Sequence, residues 1–368
     1  MINRLADQAK GLVQSRMTAA EINRRQVPTF RTTDVQTGTP TVYYLAPDNP
    51  RPSGGVRVIY RHVDLLNDMG VRAYVMHKDP AFRCTWFANQ TPVVAAASAC
   101  LGPTDILVVP EWYGPGLTAI PTGPRLVVFN QRAYDTFDHI PYPDTRPGAP
   151  YADLPGMTAL LAVSHDNVEL LSHAFPDIPV RLTRNVVDPD VFAFGSWPRR
   201  RRIAYVGHRR ADERDQLLHI LRSRRVLDGW EVTRIAGRTE QQTAEIMRDC
   251  AIFLSFSDRE GFGMPPAEAM SCGAYVVGYP GLAGREFFDP AHCAPVPDGD
   301  LLAFARAVEQ ACATWATQPE ELARRAGAAS AAVRDRYTVA GLRHDLTAFY
   351  RPLLTTGSPP ADHGLTTA

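Results

Sequence analysis

The sequence predicts an α/β protein with two doubly wound, Rossmann-like domains facing each other across a cleft. Short apolar runs bounded by glycine or proline alternate with helical segments along most of the 368 residues, which is typical of parallel strands joined by crossover helices. The alternation occurs twice, on either side of a segment, 193–200, that contains Gly195 and Pro198. A chain of this length is long for one core and sufficient for two.

Bulk composition limits the functional classes. Hydrophobic residues make up 45% of the chain and charged residues 21%, with a formal net charge of +0. Such a chain is ordinary for a soluble globular protein and has no overall field that would attract nucleic acid or an acidic membrane. The six cysteines are scattered and no long apolar run is present. We therefore expect free thiols, a cytoplasmic location and at most peripheral membrane association.

The first alternating set contains a glycine pair, Gly54 and Gly55, where a predicted strand turns into a predicted helix. Such a turn exposes backbone N–H groups at a helix N-terminus, where anions bind. A further helix is expected within residues 1–40, and the proline-rich segment 141–155 is expected to form a long surface loop. The strands of this set are predicted at 41–46, 71–77, 105–110, 125–130 and 160–164.

The second alternating set contains the segment that carries the chemistry, from Glu260 to Gly273. It follows a charge-free run, 251–255, that is typical of a buried parallel strand. Two prolines after the glycine-rich turn favour the first turn of a helix, and Gly273 is placed to end that helix. Open α/β sheets bind ligands at this end of a strand. The other predicted elements of the set are strands at 202–207, 231–236 and 274–278 and helices at 213–222, 239–250 and 300–336.

Two carboxylates frame this turn. Glu260 precedes the glycines and Glu268 lies eight residues later, inside the predicted helix. Each carboxylate can accept hydrogen bonds from a diol, and phosphate between them would meet backbone N–H groups that glycine leaves accessible. A ligand with sugar, phosphate and ribose in a row is a nucleotide sugar. No metal site is predicted, because the Asp-x-Asp pairs at 188–190 and 298–300 lie at a domain junction and before a helix.

The segment from Glu260 to Glu268 resembles the Glu-x7-Glu motif of retaining GT-B glycosyltransferases, family 4 in particular. The resemblance implies that Glu260 contacts the donor sugar and Glu268 the ribose. It also implies that the loop residues and the glycine pair of the first domain face the donor phosphates. The substrate-binding residues implied in these loops are Gly261, Phe262, Gly263, Met264, Gly54 and Gly55.

The resemblance also implies a basic pair on the donor pyrophosphate, an arginine and then a lysine five residues on. Here His208 follows the strand and Glu213 stands at the lysine position, but Arg209 and Arg214 keep the spacing, displaced by one residue. We take Arg209 and Arg214, together with Glu260, as catalytic candidates, and the sequence leaves open whether Arg209 or Arg210 meets the pyrophosphate. Many relatives carry a histidine where Gln131 stands, so Gln131 is a candidate neutral hydrogen-bonding group, or the role is absent.

The resemblance divides the chain into four parts. An acceptor-side domain is expected at 1–194, a nucleotide-sugar-binding domain at 195–338, a helix crossing back to the first domain at 339–356, and a disordered tail at 357–368. The implied activity is metal-independent, hexosyltransferase-type transfer with retention. The donor is a nucleoside-diphosphate sugar, there is no cofactor, and the acceptor is a glycan, lipid or other small molecule.

Three other functions remain open from the sequence. A glycoside hydrolase would use Glu260 and Glu268 as its pair of acids. A nucleotide-sugar epimerase of the same architecture would release a changed sugar without an acceptor. The displaced arginines and the absent histidine are also compatible with a nucleotide-sugar-binding protein that catalyses nothing.

Overall fold

The computed structural model of the chain describes residues 20–355 except Thr37 and His208. Residues 20–24 are helical, and the rest of the helix expected near the N-terminus lies outside the described residues. The expected tail, 357–368, lies outside them as well. The described chain forms two parallel sheets with helices packed against them, so the predicted α/β fold class is confirmed.

The first domain is built around a seven-stranded, all-parallel sheet in the order β4-β3-β2-β6-β7-β8-β9, with β1 and β5 paired separately. Its strands are β1 (Arg31–Thr32), β2 (Val42–Leu45), β3 (Ala73–His77), β4 (Val93–Ala95), β5 (Cys100–Leu101), β6 (Ile106–Pro110), β7 (Arg125–Asn130), β8 (Met157–Ala162) and β9 (Val180–Leu182). Its helices are α1 (Gly54–Asp68) and α2 (His165–Ala174), with 3-10 turns at Ala96–Ser98, Glu111–Ala119, Ala133–Asp135 and Tyr142–Asp144.

The second domain is built around a five-stranded parallel sheet in the order β11-β10-β12-β13-β14. Its strands are β10 (Arg200–Val206), β11 (Glu231–Ile235), β12 (Cys250–Ser257), β13 (Tyr275–Pro280) and β14 (Ala294–Pro295). Its helices are α3 (Ala211–Ser223), α4 (Glu240–Asp249), α5 (Met264–Ser271), α6 (Leu301–Thr317) and α7 (Pro319–Arg336), with a 3-10 turn at Ala283–Glu286.

Local signals set the ends of several helices. Gly273, predicted to end α5, has a left-handed φ of +81°, which glycine adopts without the steric penalty of a Cβ. Asp300 caps α6, accepting a hydrogen bond from the Ala303 N–H at 2.8 Å. The N-terminus of α2 is capped by a side-chain hydroxyl. The cap is Ser164, whose hydroxyl accepts from the Asn167 N–H because it stands one residue before the first turn.

The last helix, α8 (Val339–Thr355), returns to the first domain and packs on α1. Its Tyr350 hydroxyl lies 2.7 Å from the hydroxyl of Tyr44 on β2, and both side chains are fully buried. Asp345 accepts hydrogen bonds from the Arg184 backbone N–H and from its guanidinium Nε. These contacts hold the helix that follows the second domain against the first domain.

An arginine between the two domains holds the turn after α5. Arg199 is buried, and its guanidinium donates to the carbonyl oxygens of Gly195, Met247, Cys250 and Cys272. A guanidinium has five donors and no acceptor, so it can satisfy several carbonyls at once. The segment between the domains is thereby fixed to the C-terminal end of the functional segment.

Candidate functional site

The segment predicted to carry the chemistry forms a tight connection between β12 and α5. All eight residues of β12 are buried, and Gly263 adopts a left-handed φ of +94° immediately before α5. Met264 and Pro265 then begin the helix, where proline's missing N–H breaks no hydrogen bond. The first turn of α5 therefore lies at the carboxyl end of a central strand, as the sequence indicates.

A small cavity lies at this edge of the sheet. Its walls include the ends of two neighbouring strands, Val206 of β10 and Ser257 of β12, and the first turn of α5 at Pro265. Arg209 and Glu260 also line it, and all of its lining residues belong to the second domain. The volume is about 60 Å³, far below the several hundred Å³ typical of ligand sites.

Two predicted catalytic residues meet inside the cavity. Arg209 Nη2 donates to Glu260 Oε2 at 3.2 Å, and Arg209 Nε lies 3.0 Å from Glu260 Oε1. Only the Nη2 contact has hydrogen-bond geometry, and Nε is buried without a hydrogen-bond partner. The guanidinium therefore keeps a donor that a phosphate oxygen could accept. This pair places a cation and a hydrogen-bond acceptor side by side at the end of the sheet.

The second glutamate of the motif is paired across the domain boundary. Glu268 is only 6% exposed, and its Oε1 accepts a hydrogen bond from Arg57 Nη2 at 2.7 Å. Arg57 lies in the first turn of α1 and also forms an ion pair with Glu240 of α4. Arg57 was not identified from the sequence. Its position two residues after Gly55 was the available signal.

Gln131 contacts both glycine-containing loops, one through its side chain and the other through its backbone. Its side-chain amide donates to the Gly55 carbonyl oxygen at 3.1 Å. A Cβ on Gly261 would lie only 1.6 Å from the Gln131 carbonyl oxygen, so this approach requires glycine. Gly55, Gln131 and Gly261, three predicted site residues, therefore come together where the domains meet, while a Cβ on Gly54 would meet no atom within 4 Å.

A residue missed from the sequence, Glu111, holds Gln131 in place. Its side chain is 7% exposed and follows β6, and its Oε2 accepts the Gln131 N–H at 3.0 Å. Burial raises the pKa of Glu111 to about 7, against the lowering effect of backbone N–H groups that include those of Gln131 and Arg132. An acidic residue directly after a buried strand was the signal that could have identified it.

The other two predicted arginines are bound to protein groups. Arg210 pairs with Glu213, Asp258 and Asp298. Burial alone would lower the pKa of Arg210, but these carboxylates raise it. Arg214 is 6% exposed and donates to the Gly207 carbonyl oxygen at 2.7 Å. Of the three candidates, Arg209 is the one that lines the cavity, and the neighbouring His208 lies outside the described residues.

Two apolar members of the loop have different surroundings. Phe262 is 3% exposed and packs edge-on against Tyr337, with the ring centroids 4.7 Å apart. Its side chain belongs to the core, so any ligand contact from this residue must come from its backbone. Met264 borders a second, smaller cavity between the domains, beside Arg57 and Arg61.

Neither a metal centre nor a membrane span is found in the part of the chain that the structure describes. No group of three or more His, Cys, Asp or Glu residues there could hold an ion. Asp188 instead pairs with Arg61 at 2.7 Å, and Asp300 caps a helix. Within the same residues, every helix is too short or too polar to cross a bilayer.

Comparison with known proteins adds a family match. The family model described as "Glycosyl transferases group 1" matches residues 158–314, which include both glutamates and all three arginines. An "Alpha-1,6-glucosyltransferase" of Actinobacillus pleuropneumoniae serotype 7 (strain AP76) is 35% identical over 80 residues, 21% of this chain. The chain spans about a quarter of that relative's length, because the match covers 24% of it.

Solved structures resemble nearly the whole chain. A sucrose-phosphate synthase from Thermosynechococcus elongatus superposes with a TM-score of 0.61 at 12% identity, covering 85% of this chain and 99% of that one. Anabaena Alr3699/HepE, solved in complex with UDP and glucose, gives a TM-score of 0.59 at 14% identity with the same coverage. The fold is therefore GT-B, as the sequence predicts, and residues 158–314 of it match a glycosyltransferase family.

Proposed function

We propose that this protein is a retaining, metal-independent glycosyltransferase that moves a hexose from a nucleoside diphosphate to a glycan, lipid or other small-molecule acceptor. The observation that carries the proposal is the ion pair between Arg209 and Glu260 in the cavity at the ends of β10 and β12. Glu268 follows on the helix whose first turn lines the same cavity. The glycosyltransferase match over 158–314 and the UDP and glucose bound by a protein of similar fold support this choice.

The donor would bind by replacing the protein's own ion pairs. Its diphosphate would take the guanidinium of Arg209, assisted by the N-terminus of α5, where backbone N–H groups and the helix dipole favour negative charge. Glu260, released from Arg209, would accept hydrogen bonds from hydroxyls of the donor sugar. Glu268 would accept the ribose hydroxyls.

The chemistry assigned to these groups is stabilisation of the leaving group. As the bond between sugar and phosphate breaks, negative charge grows on the nucleoside diphosphate. A cation and helix N–H groups that already point at that charge lower the barrier without reorganising. This is the role that a divalent metal has in other transferases, so a metal is not required here. Retention rests on the resemblance of the Glu260–Glu268 segment to the motif of retaining enzymes.

A second candidate is a protein that binds nucleotide sugars without transferring the sugar. The observation that favours it is the engagement of Arg210 and Arg214 with protein acceptors, which leaves Arg209 as the main cation of the cavity. Binding of a donor with neither transfer, hydrolysis nor sugar isomerisation would identify this alternative. Release of an altered free sugar would instead identify an epimerase.

The experiment that tests the proposal is nucleotide binding by Glu268→Ala. UDP, GDP, ADP and dTDP are first compared by thermal shift, where a ligand at a hundred times its Kd stabilises by about 2.7 kcal/mol. The tightest ligand is then titrated by calorimetry. Loss of charged hydrogen bonds to ribose predicts weakening by about 1.5–3 kcal/mol, roughly tenfold to a hundredfold.

The matched control is Glu245→Ala, which removes an exposed carboxylate from the neighbouring helix α4. It should bind the nucleotide as the parent does. Equal affinity of the parent and Glu268→Ala would remove Glu268 from the donor site and with it the main support for the proposal.

A further inference from the structure

An arginine in the first turn of α1 reaches from the first domain to carboxylates of the second domain. Arg57 belongs to the first domain, yet its guanidinium bridges Glu268 of α5 and Glu240 of α4 in the second domain. The side chain of Arg57 is 15% exposed and that of Glu268 is 8% exposed. One cation is therefore shared by two carboxylates in a largely dehydrated position, close to the point where the domains touch.

We propose that Arg57 occupies the ribose position of the donor site in the free protein, so that ribose and Arg57 compete for Glu268. This inference rests on the proposed function, which assigns Glu268 to the ribose hydroxyls. Arg57 would then influence how well the site distinguishes nucleotides that have ribose hydroxyls from those that lack them, without contacting the reacting atoms.

Glu268 already has a charged partner in the free protein. Its Oε1 accepts from Arg57 Nη2 at 2.7 Å, and only 6% of the residue is exposed. A ligand that takes this oxygen must therefore displace the guanidinium. A ligand without hydroxyl donors gains nothing by moving it, because a buried carboxylate left without a partner is strongly destabilising.

The second carboxylate, Glu240, makes the exchange feasible. When ribose hydroxyls take Glu268, Arg57 remains paired with Glu240 and is not left as an isolated buried cation. The hydroxyls in turn satisfy Glu268 with charge-assisted hydrogen bonds. Both charges therefore keep a partner in the free state and in the bound state. A site with one carboxylate and one arginine would lose a partner at each exchange.

The neighbouring arginine on the same helix provides a contrast. Arg61 lies one turn further along α1 and pairs with Asp188 at 2.7 Å. Neither member of that pair contacts Glu268. Charge, helix position and exposure are similar for Arg57 and Arg61, so Arg61 is a matched control for removing one arginine from this face.

The test compares ribonucleotides with analogues that lack both ribose hydroxyls. UDP, GDP and ADP are each titrated alongside the 2′,3′-dideoxy form, into the parent, Arg57→Gln and Arg61→Gln. Removing the competitor should raise ribonucleotide affinity for Arg57→Gln by about tenfold, the gain expected when the competent state was populated about one-tenth of the time. Dideoxy affinity should stay within about twofold, and Arg61→Gln should match the parent for both ligands.

In a second variant, Glu240→Gln, ribonucleotide affinity should change in the opposite direction. Without Glu240, displacing Arg57 from Glu268 leaves the guanidinium unpaired, so ribonucleotide affinity should fall while dideoxy affinity stays constant. This variant also keeps the test decisive if Arg57→Gln does not fold. A merely structural role for Arg57 would change both ligand forms by the same factor.

Four results would overturn the inference. Weaker ribonucleotide binding by Arg57→Gln would make Arg57 a direct donor contact, and equal shifts for both ligand forms would make its role structural. Unchanged affinity in Arg57→Gln, with weaker binding by Glu268→Ala, would overturn the competition and leave the proposed function intact. If none of UDP, GDP, ADP and dTDP binds to the parent, the proposed function and this inference are overturned together.

Discussion

Substitution of Gly261 by alanine tests whether the contact between the two glycine-containing loops is required for activity. The added Cβ would lie 1.6 Å from the Gln131 carbonyl oxygen and 2.6 Å from its carbonyl carbon. Both are main-chain atoms, so no side-chain rotation can relieve the overlap. To reach 3.0 Å, the shortest separation that real Cβ atoms keep, the two loops must move apart by about 1.4 Å.

A displacement of this size has two measurable consequences. Overpacking of a close contact costs about 1–3 kcal/mol of stability. A misplacement of about 1 Å between reacting groups can lower a rate by about a hundredfold. Since Gly261 directly follows Glu260, we expect Gly261→Ala to reduce turnover by about that factor. The affinity for free nucleoside diphosphate should change much less, because Glu268 lies further along α5.

The assay is release of nucleoside diphosphate from the nucleotide sugar whose diphosphate binds most tightly, with thermal unfolding of each variant as a check on folding. Two other glycines supply graded controls. A Cβ on Gly327 of α7 meets no atom within 4 Å, so Gly327→Ala should behave as the parent. Gly55→Ala places its Cβ 3.3 Å from the movable side-chain amide of Gln131 and should show a small loss. Equal turnover by Gly261→Ala and Gly327→Ala would refute the reasoning.

Three further predictions concern charge. Because burial raises the pKa of Glu111 to about 7, its ionisation destabilises the fold as pH rises from about 4.5 to 7. Over that window, the free energy of unfolding in urea should fall by up to about 3 kcal/mol more for the parent than for Glu111→Gln. If the free energies of the two proteins change with pH in parallel, this prediction is contradicted. Arg209→Ala should weaken diphosphate binding far more than monophosphate binding. Arg210→Ala and Arg214→Ala should mainly lower the unfolding temperature, because their side chains bind protein groups. If calorimetry gives all three variants the parent's diphosphate affinity, the phosphate site lies elsewhere. Turnover should persist in EDTA, and loss that Mg²⁺ or Mn²⁺ restores would make the Asp-x-Asp pairs candidates again.

Local signals explain why much of the fold could be predicted from the sequence. A charge-free run, a left-handed glycine and prolines in a first helical turn each act within a few residues, and β12, Gly263 and α5 form as those signals indicate. Pairings between distant segments carry no such signal. Arg57 and Glu268 are 211 positions apart, and nothing near either residue marks the other as its partner.

The functions of side chains within a predicted motif were likewise only partly accessible. Arg209 and Arg214 fit the motif's five-residue spacing together, so the sequence does not distinguish their surroundings. In the structure, Arg209 lines the cavity, whereas Arg214 is buried and donates to the Gly207 carbonyl oxygen. Which of them faces the cleft depends on the direction of the first turn of α3, and that is set by packing against the sheet. Phe262 faces the core for the same kind of reason, since its neighbours Phe287 and Tyr337 come from later segments.

The ion pairs present before a ligand binds limit the net affinity that a donor can gain from each contact. Glu260 is neutralised by Arg209 and Glu268 by Arg57, so neither proposed acceptor group is available without cost. Each contact that the donor makes must replace a charge-assisted contact already present, and the net gain is the difference between the two. A diphosphate without its sugar would free Glu260 from Arg209 and leave that carboxylate without a replacement donor. A complete nucleotide sugar supplies phosphate for Arg209, hydroxyls for Glu260 and a ribose diol for Glu268, so it is the ligand class that satisfies all of these groups together.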